Sequence, residues 1–228
     1  MCSSLAVSVV VLSLLNVPTV RAQVAEAARV GDAATVFSEI MQAPDGGIPK
    51  AVLDKAEAIA IFPGVLRAGF AFGGQWGRGI ISVRNAKTGV WSAPAFLTIA
   101  GGSFGLQIGG QSIDLVLVVM DETGVQRLLG NQFKIGGEAS AAAGPVGRST
   151  EAATDIQLRA KILSYSRSRG LFAGVALNGS TLKADPDANG RLYGKRMSSR
   201  EVLDVPSAGA NLPDSVGRLR KLLKQYER

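Results

Sequence analysis

The chain has 228 residues, 46% hydrophobic and 19% charged, which is enough apolar length to fill one sizeable core and too apolar for a disordered chain. It has no histidine and a single cysteine, Cys2, so imidazole catalysis, imidazole metal ligation and an intrachain disulfide are excluded. Twenty-five Lys and Arg against 18 Asp and Glu leave a net charge of +7, which favours an anionic partner such as phospholipid or nucleic acid.

The uncharged apolar run Leu5 to Leu15 is too short for a lasting membrane span. Pro18 breaks the chain just beyond this run, and small residues precede Gln23. Residues 1–22 therefore read as a secretory signal peptide cleaved after Ala22, with a retained N-terminal anchor as the alternative. Cys2 precedes the apolar run, which does not fit a lipid-modified cysteine. The expected protein is exported to the periplasm or cell envelope, with residues 23–228 as one domain.

Val30, Ala33, Phe37, Ile40 and Met41 recur at helical spacing, predicting a helix over Val24 to Gln42. The run PDGGIP at 44–49 predicts a turn. A second short helix is expected to carry Val52, Leu53, Ala56 and Ile59, ending at Phe62-Pro63-Gly64. From Leu66 the period becomes two. Leu66, Ala68, Phe70 and Phe72 share an apolar face opposite Arg67, Gly69, Ala71 and Gly73, and the pattern returns at Ser103 to Gly109.

Turns are expected at Asn85 to Gly89, Ala100 to Gly102 and Gly109 to Ser112, giving an antiparallel meander. Ile113 to Met120 is apolar almost throughout, as a central strand covered on both faces would be. Further expectations are a helix over Gly124 to Leu129 and a hairpin over Ala160 to Asn178 turning at 168–170. Asp185 to Gly190 reads as a turn, Ser198 to Glu201 as a capping box, and residues 212–227 as a basic amphipathic helix. The fold class is α+β: a strongly bent antiparallel sheet, barrel-like in the extreme, with packed helices.

Glycine weakens a strand, so the glycine-rich faces imply close approach by a helix, another backbone or an acyl chain. The run GPVGRST at 144–150 lacks the glycine and lysine of a Walker motif at Ala142 and Arg148. Arg148 beside a glycine turn still suits an anion. Asp114, inside the most apolar strand, requires either a structural partner such as Arg159 or Arg67 or a role as an acid.

Cations gather late in the chain. Arg159, Lys161, Arg167, Arg169, Lys183, Arg191, Lys195, Arg196 and Arg200 have only Asp185 and Asp187 among them. Arg218, Arg220, Lys221 and Lys224 flank an apolar stripe of Val216, Leu219, Leu222, Leu223 and Tyr226. Such a helix docks on its own sheet, lies on an anionic membrane, or does both. Aromatic residues for base stacking are not interleaved, so nucleic acid is not an expected partner.

Several ordered motifs carry a family resemblance. They are Ile59 to Val65 (IAIFPGV), Gly69-Phe70, Gly77-Arg78-Gly79, Trp91 to Phe96 (WSAPAF), and Gly101 to Gly109. Asp114 with its apolar strand, Ala143 to Arg148, Tyr165-Ser166, Gly170 to Val175 and Tyr193-Gly194 continue the series. Together, over about 48–203, they resemble the SYLF domain, also called the yeast-type actin-binding domain. The resemblance implies a non-enzymatic module that binds phosphoinositides or other phospholipid and, in some eukaryotic members, actin; bacterial members are typically exported envelope proteins. In those eukaryotic proteins a basic N-terminal segment serves these contacts, whereas Val24 to Gln42 carries Glu26, Asp32 and Glu39 against Arg29.

Binding to anionic phospholipid at the envelope is therefore expected through Arg148, Arg167, Arg169, Lys195, Arg196, Arg218, Lys221 and Lys224. No catalytic residue, cofactor or metal is expected, and actin is not an expected partner. The alternative is an envelope structural protein with a protein partner.

Overall fold

A computed structural model describes residues 17–43, 47–70, 72–104, 109–136, 141–145, 160–168, 171–174, 177, 179–205 and 212–226. Helix α1 spans Val17–Met41. It runs through the proposed cleavage position and starts earlier than the apolar period indicated. Of the stripe read from the sequence, Val30, Ala33, Phe37 and Ile40 are buried and Met41 is partly buried, and Ala34 joins the buried set.

Helix α2 covers only Lys50–Leu53. Ala56 is buried beyond it and Ile59 already belongs to strand β1, Ala58–Phe70. Phe62-Pro63-Gly64 therefore ends no helix, because it lies inside a strand. Between Phe62 and Val65 β1 advances three residues while its neighbour advances two, from Leu115 to Ile113. The extra residue is a β-bulge. Gly64 takes φ +59°, a conformation costly for any side chain, and its N–H is donated to Asp114 rather than to the ladder.

The remaining long strands are β2 (Phe72–Val83), β3 (Ala95–Phe104) and β4 (Gly109–Val119). Ala100 to Gly102 and Gly109 to Ser112 thus lie within strands rather than turns. The turn at Asn85 to Gly89 is present, with the Gly89 N–H donated to the Asn85 carbonyl and the Asn85 side chain accepting from Lys87 and Thr88. The order β3-β2-β1-β4 is a Greek key, not a meander. β1 and β4 both bury residues on each face, so their backbone N–H and C=O groups must find partners within the sheet, and pairing the two serves one edge of each.

Among the described residues, short strands complete a nine-stranded sheet: β5 (Gln132–Lys134), β6 (Ala141–Ala143), β7 (Ile162–Ser168), β8 (Leu171–Gly174) and β9 (Thr181–Ala184). The β7–β8 hairpin is the one expected over Ala160 to Asn178. The small-residue run contributes β6, which pairs with β7 in parallel, so the sheet is not wholly antiparallel. The α+β class with a curled sheet and packed helices holds.

Helix α3 covers Glu122–Leu128, with Asp121 accepting from the Gly124 N–H. Asp185 to Gly190 is not a free turn. Asp185 caps α4 (Pro186–Tyr193) by accepting from the Ala188 N–H, and Pro186 fits the first turn, where an N–H is dispensable. The capping box at Ser198 and Glu201 opens α5 (Ser199–Leu203), and α6 covers Asp214–Tyr226.

The two sheet faces bury different cores. One face, with Ile59, Ile61, Ile80, Phe96, Val116, Val118 and Tyr165, packs under α1, α4 and α6. The other, with Phe62, Val65, Ile81, Leu97, Ile99, Leu115 and Leu117, closes around Val125, Phe133, Leu182 and Val202. Phe37 of α1 meets Tyr226 of α6 edge to face, with ring centroids 5.9 Å apart.

Candidate anionic-surface site

Helix α6 separates its side chains cleanly. Val216, Leu219 and Leu223 are buried, three and four positions apart, while Arg218, Lys221 and Lys224 are exposed at intervals of three. None of these three cations forms an ion pair with a described residue. Arg220 is different: its Nε donates to the Trp91 carbonyl at 2.8 Å, and burial lowers its pKa. It ties α6 down, a role its position among basic neighbours did not reveal.

Three other late cations, Lys161, Arg167 and Arg191, are neutralised by acids distant in sequence. Arg167 Nη2 lies 2.9 Å from Asp114 and also reaches Glu39. Burial alone would lower the Arg167 guanidinium, but the two carboxylates outweigh it and raise its pKa. Arg191 pairs at 2.7 Å with Glu26, a buried carboxylate on α1 that also holds Arg29 at 2.6 Å. Lys161 pairs with Asp121 at 2.9 Å, and Arg196 lies 3.4 Å from Asp187 with both side chains exposed. Arg200 hydrogen-bonds Gln126 of α3.

Lys195 is exposed beside a groove of about 680 Å³ whose wall includes Gln23, Tyr193, Met197 and the acids Glu201 and Asp204. Arg148 and Arg169 lie outside the described residues. Among the described residues α6 keeps a row of cations with no ion-pair partner, Lys195 borders the groove, and Arg167 is engaged within the fold.

Asp114 has its partner in Arg167, not in Arg67, which donates to Gln75. Arg159 lies outside the described residues. Asp114 also accepts from the Gly64 N–H at 3.0 Å, so both oxygens serve structure. Among the described residues no three of Cys, Asp and Glu are gathered as metal ligands, and no helix is long and apolar enough to cross a membrane.

A curled sheet that presents charge on a docked amphipathic helix defines a binding module. A match at residues 100–226 to the Ysc84 family, described as Las17-binding protein actin regulator, identifies it. The chain is 36% identical over 185 residues to Protein YSC84 of Saccharomyces cerevisiae, covering 79% of this chain and 38% of that protein. It is 34% identical over 196 residues to SH3 domain-containing YSC84-like protein 1 of Rattus norvegicus, covering 84% and 57%. The chain belongs to the Ysc84, or SYLF, family, and it spans between about two fifths and three fifths of the length of these relatives.

Proposed function

We propose that this protein is an exported, non-enzymatic module that binds anionic phospholipid at the cell envelope. The observation that carries the reading is the exposed row Arg218, Lys221 and Lys224 on a helix whose apolar stripe is already used in docking. Each cation near an anionic bilayer contributes about 1 kcal/mol, so the row supplies about 3 kcal/mol, roughly a hundredfold in partitioning. Lys195 adds to it where the bilayer reaches that side.

Sedimentation with neutral and anionic vesicles tests this. Preference for anionic vesicles that falls with salt, and falls again in Arg218→Gln/Lys221→Gln/Lys224→Gln, is the expected result. Equal binding to both vesicle types, or indifference to salt, overturns it.

The description of the family model as a Las17-binding actin regulator favours a second reading, in which the same basic row meets an acidic protein. Binding to a purified acidic partner that survives lipid removal, with no vesicle binding, would select it.

A further inference from the structure

Helices α1, α4 and α6 cover their sheet face on one side of the Pro63-Gly64 bulge. Among the described residues, nothing covers the same face on the far side of the bulge. Leu66 and Trp76, paired across β1 and β2, are 57% and 47% exposed. Ala68, Gly74, Ala100, Gly102, Gly110 and Ser112 around them are exposed as well.

Cations edge this apolar area. The Arg78 guanidinium stands 5.2 Å over the Trp76 ring. Lys183 and Lys134, both exposed, lie on the same cross-strand rows, Lys183 beyond Arg78 and Thr98 and Lys134 beyond Trp76, Ala100 and Thr181. The acids at the border are occupied or flanked by cations: Asp114 holds Arg167, and Asp32 lines a groove of about 380 Å³ with Arg29 and Arg78.

We propose that this exposed sheet area around Leu66 and Trp76 is an insertion surface that enters an anionic bilayer. A contiguous apolar area rimmed by charge marks an interaction site, whereas single exposed apolar residues do not. Tryptophan beside arginine suits the headgroup boundary, the ring below and the guanidinium above. A second copy fits less well, because a symmetric contact would oppose Arg78 and Lys183 to their own counterparts. The inference rests on the reading that the protein binds anionic bilayers, and it adds an apolar contact to the electrostatic one on α6.

The chain contains two tryptophans, and Trp91 is buried, so Trp76 is a built-in probe. The full chain and its Trp91→Phe variant are titrated with phosphatidylcholine/phosphatidylglycerol vesicles with and without brominated acyl chains. The inference expects Trp76 emission to shift to the blue and to be quenched by the bromines. Leu66→Ser and Trp76→Ser should each weaken partitioning about tenfold, the worth of one such side chain leaving water. If Trp91→Phe is unstable, the wild type gives the same reading over the constant emission of Trp91, which also reports that the serine variants are folded. Vesicle binding without quenching, or serine variants that bind as the wild type does, overturns the insertion surface and leaves the basic row standing. Absence of vesicle binding overturns both.

Discussion

Replacing Asp114 probes the joint that turns β1 over. Its carboxylate accepts from the Gly64 N–H at 3.0 Å and from Arg167 Nη2 at 2.9 Å, with the side chain 21% exposed. The hydrogen bond to a charged acceptor is worth about 1.5–3 kcal/mol. The partly exposed ion pair adds about 0.5–1 kcal/mol. Asp114→Ala should therefore cost about 2–4 kcal/mol, which for a chain of this length lowers the melting temperature by roughly 5–15 °C. Asp114→Asn keeps an oxygen for Gly64 and gives up the charge, so about 1 kcal/mol is lost. Urea denaturation of the three proteins, with hydrogen exchange at Gly64, measures both quantities. If Asp114→Ala stays within about 0.5 kcal/mol of wild type, or the two variants are equally damaged, the bulge does not depend on this acceptor and is held by packing instead.

Gly79 has no room for a side chain, since a Cβ there would fall 2.3 Å from the Ile61 carbonyl oxygen and 2.5 Å from the Phe62 ring. Gly79→Ala is expected to cost about 3 kcal/mol in chemical denaturation, and a near-neutral result would mean that β1 can shift to admit the methyl group. Asn189, fully buried, accepts from the Phe96 N–H at 2.8 Å and donates to the Met197 carbonyl at 2.9 Å. Asn189→Leu strands both backbone groups and should cost about 2–4 kcal/mol in the same assay, with exchange at the Phe96 amide accelerated. Glu201 is held below the ordinary carboxylate pKa by hydrogen bonds from the Ser198 backbone and hydroxyl. A lowered folded-state pKa gives a contribution present above the ordinary carboxylate pKa and lost as pH falls through the folded value. The Ser198 amide should therefore lose protection from exchange in that acid window in the wild type, and Glu201→Gln should abolish the step.

Helix stripes were legible in the sequence because their period is local. Val30, Phe37 and Ile40, or Val216, Leu219 and Leu223, are buried in the structure on the faces that the spacing assigned. The capping box at Ser198 and Glu201 and the buried strand Ile113 to Met120 were legible for the same reason. Leu66 was not, and the cause is one residue. Strict alternation makes Leu66 the buried partner of an apolar face, but the bulge at Pro63-Gly64 inserts an extra residue, sends Val65 inward and leaves Leu66 outside. A proline and a glycine together read as the end of an element when no neighbouring strand is known. The Asp114 carboxylate that holds the kink lies fifty positions away.

Charge divides in the same way. The amino-acid sequence by itself settled that the protein is basic, that it lacks imidazole chemistry, that its last helix is amphipathic and that its motifs belong to one family. Tertiary structure decided which cations stay available, because Glu26, Glu39, Asp114 and Asp121 reach their arginine and lysine partners only after the sheet has curled and α1 has docked. A net charge is a sum over the chain, whereas a binding surface depends on distances of a few ångströms between residues the chain order keeps apart.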